Sequence, residues 1–156
     1  MFSIACRRDD TPRQIFQQIN FYIQDENGKD LLNPNVGMTY YGNTTFLDLN
    51  DERADVPIHS ITYDKDITST YFIKYLTGAK RIFARRSRNS EIYVSDFIIR
   101  RSDINEESKT IDSDTIHVVY SLKPSIFEVQ EVCIANSNVC GTVRGIDNAI
   151  KVTIKH

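Results

Sequence analysis

Between Ile15 and the end of the chain, apolar residues recur with a period of two or gather in short β-branched and aromatic runs. That pattern constrains the fold more than any other feature. Ile19, Phe21 and Ile23 alternate with Asn20, Tyr22 and Gln24, which suits a strand that buries one face. Strand-like content returns at Thr45 to Leu49, Ile58 to Asp64, Ser69 to Leu76, Arg81 to Arg86, Ile92 to Arg100, Thr115 to Leu122, Ile126 to Ile134 and Ala149 to Ile154. Turn formers separate these runs, notably Asn27-Gly28, Thr77-Gly78, Arg88-Asn89-Ser90, Lys123-Pro124-Ser125 and Asp147-Asn148. Helical spacing is nowhere sustained over twelve residues. The pattern predicts an all-β fold, an antiparallel β-sandwich or meander with one loop-rich insertion over residues 31–57, where Asn33-Pro34-Asn35, Gly37, Gly42 and Pro57 interrupt any long element. The competing reading is α+β, with a short helix at Pro12 to Gln18 or at Ile104 to Ser108.

A chain of 156 residues is long enough for one sizeable core and short for two. The first fourteen residues are almost wholly polar after Cys6 and read as a tether, which leaves residues 15–156 as a single domain. A formal net charge of -2 supplies no overall field for nucleic acid or anionic lipid, so nucleic acid is not an expected partner. No run approaches the roughly 18 apolar residues that span a bilayer. Met1 to Ala5 is too short for the apolar core of a complete signal peptide.

Three cysteines are present. Cys133 and Cys140 flank a segment whose middle is turn-forming. In a hairpin turning at Asn136-Ser137 they face each other at a separation that a disulfide accepts. Closing this loop stabilises by about 2.5 kcal/mol in the chain-entropy picture, in an oxidising compartment. The alternative is a pair of reduced thiols in a cytoplasmic protein. Zinc is not expected, because His59, His117 and His156 have no ligand spacing to the cysteines or to one another.

Cys6 lies in the polar tether and calls for another explanation. Ser3-Ile4-Ala5-Cys6 resembles the end of a bacterial lipoprotein signal peptide, with residues 1–5 as its remnant and Cys6 as the lipidated residue. Ser3 stands where Leu is usual, and the upstream apolar segment is absent. The run from Ile19 to Pro34, with its Asp25-Glu26-Asn27-Gly28-Lys29-Asp30-Leu31-Leu32-Asn33-Pro34 turn, resembles the opening of many small bacterial envelope lipoproteins. The resemblance covers about thirty residues and carries no common activity. It implies a lipid-anchored β-domain, periplasmic or surface-facing, that meets the membrane only through its anchor.

Local chemistry adds few candidates. Between Lys74 and Arg101 stand eight basic residues against Glu91 and Asp96, a local excess of six. Arg81, Arg85, Arg86, Arg88, Arg100 and Arg101 are the candidate anion-binding set if the flanking strands pair about Arg88-Asn89-Ser90; the simpler reading is a solvated sheet face. Tyr40 and Tyr41, beside Gly37 and Gly42, mark a candidate ligand loop. Asp25, Asn27 and Asp30 lack the spacing of a calcium loop and read as a turn. His117, inside an apolar strand, is expected to be a hydrogen-bonded structural residue, and His156, the last residue, to be mobile. Asp96 and Glu128 form a carboxylate pair only if the fold joins them, and Asn43-Thr44-Thr45 fits a glycosylation acceptor. No catalytic motif is present, so no catalytic residue, cofactor or metal is expected. The expectation is a non-catalytic envelope lipoprotein that binds an envelope protein or glycan, or supports an assembly, through its β-surface. The alternatives are a carbohydrate-binding or small hydrolytic domain with its site on residues 31–57, and a cytosolic interaction protein.

Overall fold

The computed structural model describes residues 13–35, 43–51, 53, 56–103, 105–106, 109–135, 137–142, 144–145 and 147–156. The all-β expectation is borne out. Twelve strands are described: β1 (Gln14–Phe16), β2 (Ile19–Gln24), β3 (Thr44–Asp48), β4 (Val56–Ile58), β5 (Ile61–Lys65), β6 (Tyr71–Tyr75), β7 (Ile82–Arg86), β8 (Glu91–Ser102), β9 (Thr110–Leu122), β10 (Ile126–Ile134), β11 (Val139–Gly141) and β12 (Ile150–Lys155). There is no helix among the described residues. The segment offered as an N-terminal helix instead carries β1, and Ile104, Glu107 and Ser108 of the second lie outside the described residues.

The long antiparallel strands β8, β9 and β10 form the centre of one sheet. Each outer edge of this trio is tiled by two short strands. β7 and β3 follow one another along β8, and β1 and β11 along β10; β4 then extends the sheet beyond β3. The second sheet runs β12-β2-β6-β5. Two pairings are parallel, β1 with β10 and β12 with β2. Alternation within one strand carries no information on the direction of its partner, so the antiparallel part of the expectation is corrected: both sheets are mixed.

The run expected as one strand over Ile58 to Asp64 is two strands. It breaks at exposed His59-Ser60 because the chain there leaves the first sheet, where β4 pairs β3, for the second, where β5 pairs β6. Gln17-Gln18 makes the same crossing between β1 and β2. These two corners hold the sheets face to face.

Between the sheets lies an aromatic quartet. Phe21 and Tyr75 come from the second sheet, and Phe46 and Phe97 from the first; all four are fully buried. Tyr75 and Phe97 stack with ring centres 4.8 Å apart, Phe46 stacks on both, and Phe21 meets Phe46 and Phe97 edge-on, the geometries that aromatic quadrupoles favour. Ile116, Val118, Val129, Val132 and Ile134 continue the core along β9 and β10. Val129 and Val132 are three residues apart, yet both point inward, because a bulge between Val129 and Glu131 absorbs one residue. Gly78 is held at φ +132° by the turn after β6, where a Cβ would come within 2.4 Å of Ile58 Cγ2.

Phe97 touches three of the rings in this joint, so Phe97→Ala is expected to lower stability by about 3–5 kcal/mol, read by urea unfolding. A loss below about 1 kcal/mol would show that the quartet is not what couples the sheets.

Candidate functional site

Register brings three chain segments to one end of the first sheet. Glu91 is paired with Leu122, and Leu122 with Phe127, so the β7–β8 turn and the β9–β10 turn emerge side by side. Each turn is closed by backbone hydrogen bonds, Ser87 N–H to Ser90 at 2.8 Å and Lys123 N–H to Ile126 at 2.8 Å. The parallel strand β1 joins them through the Gln14 N–H to the Ser125 carbonyl at 2.9 Å, and so delivers Arg13, Ile15 and Gln17 to the same place.

A groove of about 480 Å³ runs between the turns, lined by Arg13, Arg86, Arg88 and Lys123 with Glu91. It adjoins a second hollow of about 330 Å³ walled by Ile15, Tyr93, Leu122 and Phe127, with Arg81 and Gln17. The two share Arg13 and Leu122 and so lie side by side, a channel whose cationic half is the groove and whose aromatic half is the adjoining hollow. In the cationic half four basic side chains face one carboxylate. Arg86 holds Glu91 at 2.6 Å, and this hydrogen bond keeps the Glu91 carboxyl below the usual carboxylate range, so it is ionised at neutral pH. Among the described residues, Arg13, Arg88 and Lys123 have no carboxylate within ion-pair distance. Tyr93 donates to Glu91 at 3.3 Å; burial, and then the Glu91 charge, raise its hydroxyl above the ordinary value, so it remains a neutral donor.

The aromatic half is built around Arg81. Its guanidinium lies over the Tyr120 ring at 4.6 Å and the Phe127 ring at 4.5 Å, and it donates to Gln17 Oε1 at 2.6 Å. Stacking on two rings in a partly desolvated site fixes the planar fork in place. Tyr120 is itself set by a hydrogen bond from Ser95 Oγ at 3.2 Å. Ile15 and Phe83 flank this region and are 57% and 51% exposed.

The arginine set expected from the sequence is therefore divided. Arg81, Arg86 and Arg88 line the channel, whereas Arg85 is an exposed residue of β7. Arg100 and Arg101 stand at the opposite end of β8. Arg101 is fully buried and does not face solvent anions. Its guanidinium pairs with Asp112, with Asp114 at 2.6 Å and with His156. His156, expected to be mobile, is instead fixed by its backbone N–H to the Gln24 carbonyl at 2.8 Å and by a ring nitrogen 2.9 Å from Asp114. The channel also contains Arg13 and Lys123, which sequence reading missed because β1 and the β9–β10 turn lie far from the arginine-rich segment. The only signal for Lys123 was its place beside Pro124 in a turn.

Cys133 and Cys140 are paired in register and disulfide-bonded, with Cα atoms 4.0 Å apart. Asp112, Asp114 and His156 bring ligand atoms within 4.8 Å of one another, as do Glu131, Cys133 and Cys140. In the first trio the buried Arg101 already supplies the cation, and in the second the sulfurs are bonded to each other. His117 Nδ1 lies 2.6 Å from Asp96 Oδ1, and its side chain is partly exposed on the outer face of β9. Asp96 and Glu128 are not a pair, since Glu128 lies 3.5 Å from Arg144. Asp25 caps its own turn, accepting the Asn27 and Lys29 N–H groups at 2.8 Å. Cys6, Tyr40 and Tyr41 lie outside the described residues.

No protein-family model, no curated protein and no solved structure matches the chain. The fold and channel define an all-β module with a joined cationic and aromatic recess at one sheet end.

The two neighbouring arginines separate structural from surface roles. Arg101→Ala strips a buried ion cluster of its cation and is expected to cost about 3–5 kcal/mol. Arg100→Ala, on a half-buried position, is expected to cost about 1 kcal/mol or less. Parallel denaturant titrations of the two variants check the contrast.

Proposed function

We propose that this protein is a non-catalytic binding module of the bacterial cell envelope, lipid-anchored through Cys6, which captures an envelope protein or glycan in the channel at the β7–β8 and β9–β10 turns. The observation that carries the reading is the adjacency of the two hollows across Arg13 and Leu122, with Arg88 and Lys123 on one side and the Arg81 platform with Tyr93 and Phe127 on the other. A ligand segment with a carboxylate or phosphate beside an aromatic or aliphatic group satisfies both halves. The charges give attraction and direction, and the rings give contact area. The disulfide supports a location outside the reducing cytosol, and the Ser3-Ile4-Ala5-Cys6 resemblance supports the anchor.

Titration with an acetylated Phe-Glu-Glu peptide, followed by amide shifts in NMR spectra, tests the channel. Shifts are expected at Arg13, Arg81 and Leu122. The double variant Arg88→Glu with Lys123→Glu is expected to weaken binding about tenfold or more, and Glu91→Gln to tighten it about two- to fivefold, because Arg86 is then released to the ligand. Binding that is indifferent to these changes would remove the channel from the reading. Mass spectrometry of membrane fractions from the native host is expected to find Cys6 acylated; an unmodified Cys6 in a soluble fraction removes the anchor.

A further inference from the structure

On the outer face of the first sheet, four strands place Asp96, His117, Cys133 and Cys140 side by side in one row. Asp96 on β8 is paired with His117 on β9, His117 with Cys133 on β10, and Cys133 with Cys140 on β11. Their shared direction follows from alternation. Ser95 and Phe97, Ile116 and Val118, and Val132 and Ile134 are all buried on the inner face, so the residues between them point outward. Directly opposed side chains of this kind have Cβ atoms about 4.5–5.5 Å apart. His117 is 41% exposed and Asp96 33%. Asp96 holds His117 Nδ1 at 2.6 Å, which leaves Nε2 as the nitrogen available for proton transfer.

From this row we propose that the Cys133–Cys140 disulfide is an exchange site for a dithiol, with His117 as the proton donor to the departing sulfur. Cys140 is exposed on a three-residue edge strand, whereas Cys133 is half-buried beside β9, so Cys140 Sγ is the accessible target. One thiolate of a dithiol attacks Cys140 Sγ and forms a mixed disulfide. The Cys133–Cys140 bond breaks, its electron pair leaves on Cys133 Sγ, and protonated His117 transfers its Nε2 proton there. The second thiolate of the dithiol then attacks its own sulfur in the mixed disulfide and releases Cys140, which takes a proton from water. The dithiol is oxidised to a disulfide, both cysteines are reduced, and His117 is reprotonated by solvent. Among the described residues, the ionisable groups facing this centre are Asp96 on β8 and Glu131 on β10, whose carboxylate lies within 4.8 Å of both sulfurs. β11 adds none. A carboxylate there opposes an anionic leaving sulfur, which makes proton delivery by His117 the step that matters.

The test uses the whole protein and dithiothreitol as the dithiol, between about pH 5 and pH 8, where imidazole ionises. Thiol trapping and mass spectrometry give the reduction rate, which is divided by the concentration of dithiothreitol thiolate. The wild-type rate per thiolate is expected to rise about tenfold as pH falls across that range, and to be flat in His117→Gln. Asp96→Asn replaces the carboxylate that holds Nδ1 at 2.6 Å, so the ring loses the partner that orients it, and the rate at the low-pH end is expected to fall about two- to fivefold. That loss keeps the test open if His117→Gln does not fold. A flat wild-type profile, or reduction that proceeds only at the rate of global unfolding measured by circular dichroism, would overturn the proposal. The outcome is independent of the channel.

Discussion

The aromatic quartet between the sheets is the contact on which the rest of the molecule depends. Two of its rings come from each sheet, so it is the place where neither sheet can be described without the other. Its burial brings β2 and β6 over β3 and β8 and fixes the height at which Tyr120 enters the core. Tyr120 then carries Arg81, and Arg81 sets the floor of the channel. A chain of contacts thus runs from the most buried residues to the most accessible recess.

Much of the fold was legible because alternation is a local signal. Inward positions such as Ile19, Phe21, Ile116 and Val118 could be read from their neighbours alone. What could not be read is what a strand does at its edges. The division at His59-Ser60, the parallel placement of β1 and the bulge at Gln130 each depend on a distant partner. β1 and β11, three residues each, are too short to show any period. The disulfide was visible because both of its cysteines sit on one hairpin, where sequence distance and spatial distance agree.

The arginine-rich segment shows the limit of reading charge from composition. Arg100 and Arg101 are adjacent in sequence, but one lies on a half-buried outer position and the other is enclosed with two aspartates. Composition could not distinguish them, since the strand pleat alone sends them to opposite faces. Conversely, Arg13 and Lys123 join the channel across more than a hundred residues. The site was therefore half-legible: its arginine-rich turn stood out, while its remaining walls were assembled by strand register. Arg144 is another residue that only topology explains. Its guanidinium reaches Val129, Phe16 and Asn148 carbonyls, filling the stretch of the β10 edge between β1 and β11. It thereby occupies polar groups that would otherwise template edge-to-edge association.

The parallel register of β12 on β2 has a kinetic implication. Ile19 finds Ile150 as its neighbour, so the second sheet cannot be completed until the chain has been made as far as β12, more than a hundred residues after β2. Closing a loop of that size before any of its contacts can form places the domain among slow, millisecond-to-second folders. During synthesis the chain would remain open for a long time, with β2 exposed and unpaired on that side.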